Sequence, residues 1–347
     1  MSQVWVHNEW DPLEEVIVGR AENAAFPVSD LALRANIAAD YGELPELNRA
    51  VPDISDRVRH EAAEDLETLC ETLRKLDVIV RRPDIIDMTA KIRTPLWAAE
   101  PYSNYCPRDI LLAIGDTIIE TPMILRSRQF EPWSYRSLML DYMESGSRYL
   151  CAPRPRLREE DYDFTGETPS TLRENEPIFD AANVLRAGRD LFYLVSSSGN
   201  LSGKNWLQAT LRDEYRIHEC NMYRGIHIDS TISLLRPGLV LINPERLKPE
   251  ELPPPLDKWD VIVSPAMNSS SQPTEPVLSS PWIGMNLLMV NPELAIVDAQ
   301  QAELIALLKK NGIEAVPVQS RHGRLLGGGF HCVTLDVRRR GALEHYF

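Results

Sequence analysis

Short apolar runs separated by tight-turn residues recur along the chain, in a pattern typical of β-hairpins. The segment 109–122 is representative, because one apolar run precedes Gly115-Asp116 and a second apolar run follows it. Each predicted hairpin is followed by a helical or irregular segment and then by a short strand. The predicted hairpins span 109–122, 183–195, 230–244 and 286–298, and examples of the short strands are 260–263 and 314–318.

Helical periodicity occupies several of the segments between these units. In the segment 56–76 the apolar residues recur every three or four positions and share one helix face, formed by Val58, Ala62, Leu66, Leu69 and Leu73. Helices are predicted at 56–76, 132–145, 203–212 and 299–310, and surface loops at 157–178, 252–255 and 268–273.

The hairpin units repeat at a loose period of roughly 50–75 residues, which is a sign of radial repetition. A single α/β sheet that contains several hairpins is the alternative. Polar residues just before the hairpins favour the repeat, because such residues are unusual at the start of a buried core strand. Around a common axis these residues would converge on one central cavity, and they are Asp109, Asp180, His227 with Asp229, Ser280 with Asn286, and Cys332 on the last strand.

No long linker rich in proline, glycine or serine divides the chain, so we predict one domain over residues 1–347. Residues two apart on a strand point to one face, and His227 and Asp229 are therefore expected to face the cavity together. By the same alternation, His331 is expected to point away from Cys332.

The net charge of −14 argues against nucleic acid or an anionic membrane as the main partner. It suits a cationic small substrate, although most acidic surfaces serve only solubility. The five scattered cysteines indicate reduced thiols and a cytoplasmic location. The first residues do not resemble a signal peptide, and no apolar run approaches the roughly 18 residues of a membrane helix. A metal site is not expected, because no regular ligand spacing links His218, Cys220 and His227.

Three consecutive glycines, Gly327 to Gly329, lead into Cys332 within a strand-like segment. Glycine weakens a strand, so the close approach of a ligand or of another backbone to the Cys332 thiol is the natural reason for them. The alternative is a tight turn before a core strand, with Cys332 as a small buried hydrophobe. Nucleotide binding is not expected, because the glycines lack the GxGxxG context and no P-loop sequence occurs.

The remaining polar residues suggest how Cys332 would act. A thiolate nucleophile needs a base or a cation beside it, and His227 held by Asp180 can supply the base and later the acid. A second pair of carboxylates, Asp109 and Asp229, suits a planar guanidinium, because each carboxylate can accept two parallel N–H bonds. A turn or cap role for each aspartate, and a structural role for the histidine, are the alternatives.

With these residues the chain resembles the arginine amidinotransferases, which belong to the guanidino-modifying superfamily. The resemblance covers nearly the whole chain and is strongest with the bacterial inosamine-phosphate enzymes, although the glycine-specific enzymes are also similar. It implies a five-bladed α/β-propeller, or pentein, of pseudo-fivefold ββαβ modules around a central channel. The motifs that carry it occur in order at 8–19, 107–109, 126–128, 179–181, 227–229, 243–246, 285–286 and 327–338.

The resemblance implies a catalytic role for three residues. Cys332 would be the nucleophile that carries the amidino group, and His227 would be the general acid and base, oriented by Asp180. The reaction would be a ping-pong transfer from L-arginine to an amine, with release of L-ornithine and without a metal or organic cofactor.

Substrate binding is likewise implied by the resemblance. Asp109 and Asp229 would hold the guanidinium, and Arg246 and Ser280 would bind the arginine carboxylate. The partners would be L-arginine, an amine acceptor and a second copy of the chain in a homodimer.

The acceptor is expected to be an inosamine phosphate, with glycine, lysine or another amine as the alternative. The segment before His227 is shorter than in the glycine-type enzymes and carries Arg224 and Ile226, which favours a bulkier amine whose phosphate Arg224 would contact. An arginine deiminase-type hydrolase would use the same residues, and a non-catalytic pentein binding module would not need them.

Overall fold

The computed structural model describes residues 3–26, 31, 33, 54–163, 172–223, 225–268 and 277–347. Within these residues the chain forms five three-stranded sheets and one small two-stranded sheet. Every three-stranded sheet has the same pattern, in which the central strand pairs antiparallel with one neighbour and parallel with the other. This repetition confirms the radial repetition that the hairpin pattern predicts and the five-bladed α/β-propeller that the family resemblance implies.

The strands are short, and most hairpin strands are buried along their whole length. In chain order they are β1 (Leu13–Val18), β2 (Ile79–Arg81), β3 (Ile92–Arg93), β4 (Ala98–Ala99), β5 (Leu111–Ile114), β6 (Thr117–Glu120), β7 (Arg148–Cys151), β8 (Val184–Ala187), β9 (Asp190–Leu194), β10 (Arg216–Cys220), β11 (Ile232–Arg236), β12 (Leu239–Ile242), β13 (Asp260–Val263), β14 (Leu288–Asn291), β15 (Leu294–Asp298), β16 (Glu314–Val318) and β17 (Thr334–Arg339).

Helices connect the second and third strands in most blades, whereas 3₁₀ turns make this connection between β12 and β13. None of the helices in the described segments is long and apolar enough to cross a membrane. The helices are α1 (Asp56–Lys75), α2 (Pro107–Ile110), α3 (Arg136–Glu144), α4 (Leu201–Leu211), α5 (Ala302–Lys310) and α6 (Gly323–Leu326).

The four predicted hairpins, the two predicted short strands and the four predicted helices are all present. The predicted helix at 132–145 differs in one respect, because it begins as a 3₁₀ segment before α3. The predicted loop at 268–273 lies outside the described residues except for Asn268, as do residues 164–171 of the predicted loop at 157–178.

Local sequence signals explain why these elements form where they do. Gly115, Gly188 and Gly238 turn three of the hairpins with φ of 57°, 67° and 80°, which is the left-handed region that favours glycine. Helix α1 starts at Ser55, whose side chain accepts a hydrogen bond from the backbone N–H of Val58. The predicted apolar face of α1 is buried against the core.

The first and last strands of the propeller belong to the same blade. β17 pairs antiparallel with β1, and β2 then adds to β1 in parallel. The nucleophile candidate Cys332 lies two residues before β17. The pairing of β17 with β1 therefore fixes the position of the segment that contains Cys332.

Buried ion pairs join this first blade to its neighbours. The carboxylate of Asp336 on β17 accepts hydrogen bonds from Arg108 at 2.6 Å and from Arg186 at 2.7 Å. Arg186 also donates to Glu9 at 2.7 Å. Because these charges are almost fully buried, each needs the others, and the cluster holds three blades in register.

Candidate active site

Although Asn286 lies on a neighbouring cavity, most of the polar residues that precede the hairpins line one cavity of about 90 Å³. The structure places five of the seven predicted site residues on its wall, while Asp180 lies behind His227 and Arg246 lies outside the wall. The five lining residues are Asp109, His227, Asp229, Ser280 and Cys332.

His227 is held between two carboxylates. Its Nε2 lies 2.9 Å from Oδ2 of Asp180, and its Nδ1 lies 3.7 Å from Oδ1 of Asp109, beyond hydrogen-bonding distance. Burial favours the neutral imidazole, but the carboxylates of Asp109 and Asp180 outweigh burial and raise the pKa of His227 to about 9. His227 is therefore an imidazolium at neutral pH and can donate a proton.

Asp229 and His331 form a second carboxylate–imidazole pair beside the thiol. Oδ2 of Asp229 lies 2.8 Å from Nδ1 of His331 and 3.5 Å from Sγ of Cys332. The expectation that His331 points away from Cys332 is therefore wrong. The alternation of a strand does not apply, because residues 331–333 form a turn and β17 begins only at Thr334.

An irregular segment also changes the reason for which His227 and Asp229 face the cavity. Both residues line it, as expected, but residues 227–229 lie in a loop of bends and turns rather than on a strand. Burial opposes ionisation of Asp229, yet the hydrogen bond from His331 and the charges of His331 and His227 together outweigh burial and lower the pKa of this carboxyl. Asp229 is consequently a carboxylate at neutral pH.

The Cys332 thiol is buried and protonated in this arrangement. Burial and the carboxylates of Asp229 and Asp109 hold the pKa of the Cys332 thiol well above its usual value. The side chain of Asn286 fixes the residue, because its Oδ1 accepts from the backbone N–H of Cys332 at 3.0 Å and its Nδ2 donates to the carbonyl of Asp229 at 3.2 Å. A cation that entered the cavity would favour the thiolate.

Two carboxylate oxygens on the cavity wall are buried without a hydrogen-bond partner among the described residues. They are Oδ1 of Asp109 and Oδ1 of Asp229. The other oxygen of each carboxylate is engaged, by Arg128 at 2.6 Å for Asp109 and by His331 for Asp229. Buried carboxylate oxygens are normally paired, so these two can accept hydrogen bonds from a ligand that carries N–H donors.

The glycines before Cys332 are required by the protein itself. A Cβ on Gly328 would lie 2.4 Å from Sγ of Cys106 and 3.1 Å from Cβ of Cys332, and a Cβ on Gly329 would lie 2.7 Å from Cβ of Asn286. Close approach is thus the reason for the glycines, as expected: side chains approach both positions, and a Cβ on Gly329 would also lie 2.8 Å from the backbone carbonyl oxygen of Ile283. No ligand is needed to explain these glycines.

Comparison with known proteins matches this geometry to a family. The chain is 49% identical, over 100% of its length and 99% of the relative, to inosamine-phosphate amidinotransferase 1 from Streptomyces glaucescens. It superposes on the solved inosamine-phosphate amidinotransferase from Streptomyces griseus with a TM-score of 0.94 and 49% identity, over 100% of this chain and 99% of that one. The chain belongs to the amidinotransferase family.

A more distant relative lies within the same family. Mitochondrial glycine amidinotransferase from Gallus gallus is 38% identical, over 98% of this chain and 84% of that relative. No family model matches the chain. Amidinotransferases are transferases, and this member is accordingly an enzyme of that class.

The two residues expected to bind a carboxylate differ in their position relative to the cavity, because Arg246 does not line it. Ser280 is on the cavity wall. Nη1 of Arg246 donates to Oγ of Ser230 at 3.1 Å, and Ser230 is on the wall as well. Arg224 lies outside the described residues.

Sequence reasoning missed three residues of the site. Arg128 bridges Asp109 and Glu131, its Nε lying 3.0 Å from a Glu131 oxygen, and Cys106 shares the wall with Cys332. The third residue is His331, which strand alternation places on the opposite face from Cys332. The only available signal for Arg128 was its place in the 126–128 motif, since an arginine in an irregular segment usually contacts solvent.

Proposed function

We propose that this amidinotransferase moves the amidino group of L-arginine to the amine of an inosamine phosphate, with Cys332 as the transient carrier, and releases L-ornithine. The observation that carries the proposal is the pair of partnerless carboxylate oxygens, on Asp109 and Asp229, beside the Cys332 thiol. A guanidinium is a planar cation whose N–H groups point to opposite sides, so one guanidinium can satisfy both oxygens.

Binding of L-arginine would activate the nucleophile. The guanidinium brings a positive charge into a cavity where carboxylates oppose the thiolate, and the pKa of the Cys332 thiol falls as a result. The thiol releases its proton to solvent, and the thiolate attacks the guanidinium carbon. Asp109 and Asp229 stay bonded to the two terminal nitrogens and stabilise their positive charge through the tetrahedral adduct.

His227 would serve as acid and then as base. As an imidazolium it protonates the nitrogen that links the amidino carbon to the ornithine chain; that C–N bond breaks and an amidino-cysteine remains. The acceptor then enters as a free amine, and neutral His227 removes its proton while its nitrogen attacks the amidino carbon. Breakage of the C–S bond restores the Cys332 thiolate and the imidazolium.

The identity of the acceptor rests on the relatives. The relative that is 49% identical over the full length is named for inosamine phosphate, whereas the one named for glycine is 38% identical. The roles of Arg246 and Ser280 toward the arginine carboxylate, the homodimer, the cytoplasmic location and the single domain over 1–347 stay predictions.

A direct assay tests the proposed reaction. The purified protein is incubated with L-arginine and, separately, with glycine, lysine or a phosphorylated aminocyclitol amine, and ornithine and citrulline are followed by mass spectrometry. We expect ornithine and an amidino product to form in equal amounts with the aminocyclitol phosphate. Citrulline formed without an amine would contradict transfer and indicate a hydrolase, and the absence of any product would indicate a binding module.

Replacing Asp180 with asparagine is expected to lower the pKa of His227 from about 9 by roughly one unit, because one of its two nearest carboxylates is lost. The pKa is measured by NMR titration of the His227 ring in Cys332→Ala and in the double variant. The limb of the pH–rate profile that His227 sets should move to lower pH in Asp180→Asn. An unchanged titration would show that Asp180 does not hold the imidazolium.

The same interaction makes stability depend on pH. The folded pKa of His227 lies above its unfolded value of 6.5, so its stabilising contribution is complete below about pH 6.5 and is lost as the pH rises through about 9. This dependence should weaken in Asp180→Asn.

A further inference from the structure

A second cavity of about 290 Å³ adjoins the catalytic cavity. Ile283 lines both cavities. Asn286, which accepts a hydrogen bond from the backbone N–H of Cys332, lines the second cavity, as do Gly328 and Gly329. The second cavity therefore lies directly behind the segment that positions the nucleophile.

The wall of this cavity is basic, although the protein as a whole is acidic. The chain carries a net charge of −14, yet among the described residues the wall has four basic side chains and one carboxylate, that of Asp298. Both oxygens of Asp298 are engaged, by the backbone N–H of Gln300 and by the side chain of Gln301. The basic residues are Arg57, Arg321, His322 and Arg324.

Most of these basic side chains already have acidic partners. Arg321 donates to Asp65 at 2.8 Å and to Glu64 at 2.9 Å. Nε2 of His322 lies 2.6 Å from Glu61, which also pairs with Arg57 at 3.1 Å. These charges are largely compensated, although Arg57 is exposed enough to turn toward a ligand.

Arg324 differs from the other three. Its half-buried guanidinium forms no ion pair with any carboxylate in the segments that the structure describes, and its Nε makes one long hydrogen bond, at 3.4 Å, to the carbonyl of Ser279. Its backbone carbonyl accepts from the N–H groups of Leu278 and Ser279. Leu278 and Ser279 line the catalytic cavity, so Arg324 is fixed to the wall between the two cavities.

We propose that the second cavity binds the phosphate group of the acceptor, with Arg324 as the principal donor and Arg57 at the rim. This inference rests on the proposed function and adds a site for the charged end of the substrate. A phosphate presents several acceptor oxygens, and the planar guanidinium of Arg324 can donate two parallel N–H bonds to it. When the phosphate of the acceptor is bound there, the rest of the acceptor extends past Ser279 and its amine points toward Cys332.

The experiment compares a phosphorylated aminocyclitol amine with the same amine without phosphate, in wild type, Arg324→Gln and Arg324→Lys. In Arg324→Gln the KM for the phosphorylated acceptor should rise about 10- to 100-fold with kcat nearly unchanged, because the lost contact acts equally in ground and transition states. The KM for the phosphate-free amine should not change. In Arg324→Lys the KM for the phosphorylated acceptor should rise less, since lysine keeps the positive charge but lacks the two parallel N–H donors of the guanidinium.

Two controls separate this effect from a structural one. Arg216→Gln removes the same charge from an exposed position on β10 and should leave both KM values unchanged. The ornithine burst from L-arginine without an acceptor should be the same in Arg324→Gln and wild type, because Arg324 lies outside the catalytic cavity. Equal KM values for the phosphorylated acceptor in wild type and Arg324→Gln, or equal increases for both acceptors, would overturn the proposal.

Direct binding distinguishes a failure of this inference from a failure of the proposed function. Inorganic phosphate titrated into the wild-type protein in a calorimeter should bind, should compete with the phosphorylated acceptor, and should bind more weakly to Arg324→Gln. Phosphate binding that depends on Arg324 in a protein that releases no ornithine would refute amidino transfer and leave the anion site standing. If the protein released ornithine but phosphate bound equally well to wild type and to Arg324→Gln, the anion site alone would be refuted.

Discussion

Replacing Cys332 with alanine is expected to lower the release of ornithine from L-arginine by at least about 10⁴-fold, because the chemistry has no other carrier for the amidino group. Wild-type protein incubated with L-arginine alone should gain the mass of one amidino group, and digestion should locate it on the peptide that contains Cys332. Both signals should vanish in Cys332→Ala.

Cys106→Ala is the matched variant, because the Cys106 thiol lines the same cavity and is also buried. Burial raises the pKa of the Cys106 thiol well above its usual value, as it does for Cys332. Unlike the Cys332 thiol, however, which lies 3.5 Å from Asp229, the Cys106 thiol donates no hydrogen bond to a carboxylate within the described part of the chain. Cys106→Ala should still form the amidino-enzyme, and a label on Cys106 would contradict the assignment of the nucleophile.

The resting state of the nucleophile has a consequence for its reactivity. A thiol whose pKa is raised by burial and by Asp229 and Asp109 is a poor nucleophile until a cation arrives. The same carboxylates therefore suppress reaction without substrate and favour it with substrate, since a guanidinium reverses their effect. In the proposed mechanism, an acidic cavity can therefore contain a cysteine nucleophile.

The repeating fold was largely accessible from the sequence because its signals are local. Gly115, Gly188 and Gly238 mark hairpin turns that need a positive φ, and the apolar runs on either side are long enough for one buried strand each. The polar residues before the hairpins converge because every blade has the same connectivity, so one position repeated around an axis reaches one cavity.

The pairing that closes the ring was not accessible in the same way. β1 and β17 are separated by more than 300 residues, and nothing in either strand identifies its partner. Likewise, the role of Arg128 depends on Asp109 and Glu131 meeting it in a buried site, which is a property of the assembled blades.

His331 shows how a local rule can fail at a functional position. Strand alternation places it opposite Cys332, but the chain turns at residues 331–333 before β17 begins. The turn lets His331 and Cys332 contact the same oxygen of Asp229, and Nε2 of His331 also reaches Glu9 at 3.2 Å. Asp229 is thereby connected to the ion cluster between the blades, which no periodicity in the sequence could indicate.

Replacing Asp229 with asparagine is expected to lower kcat/KM for L-arginine by about 10³-fold, because it removes one of the two charges that hold the guanidinium and that stabilise the adduct. Asp109→Asn should have a similar effect on kcat/KM and a second effect on stability. It leaves the buried Arg128 with Glu131 as its remaining carboxylate partner among the described residues, so we expect a loss of about 3 kcal/mol in the free energy of unfolding.

Steady-state kinetics with L-arginine and denaturant unfolding of each variant test both effects, and Asp190→Asn is the matched control. Asp190 is also a buried aspartate paired with a histidine, since its Oδ1 lies 2.6 Å from Nε2 of His218, but it does not line the cavity. Its replacement should reduce stability without changing kcat/KM for L-arginine. If Asp109→Asn and Asp229→Asn behaved like Asp190→Asn, the two partnerless oxygens would not be the guanidinium site, because the removal of either charge must weaken a cation held between them.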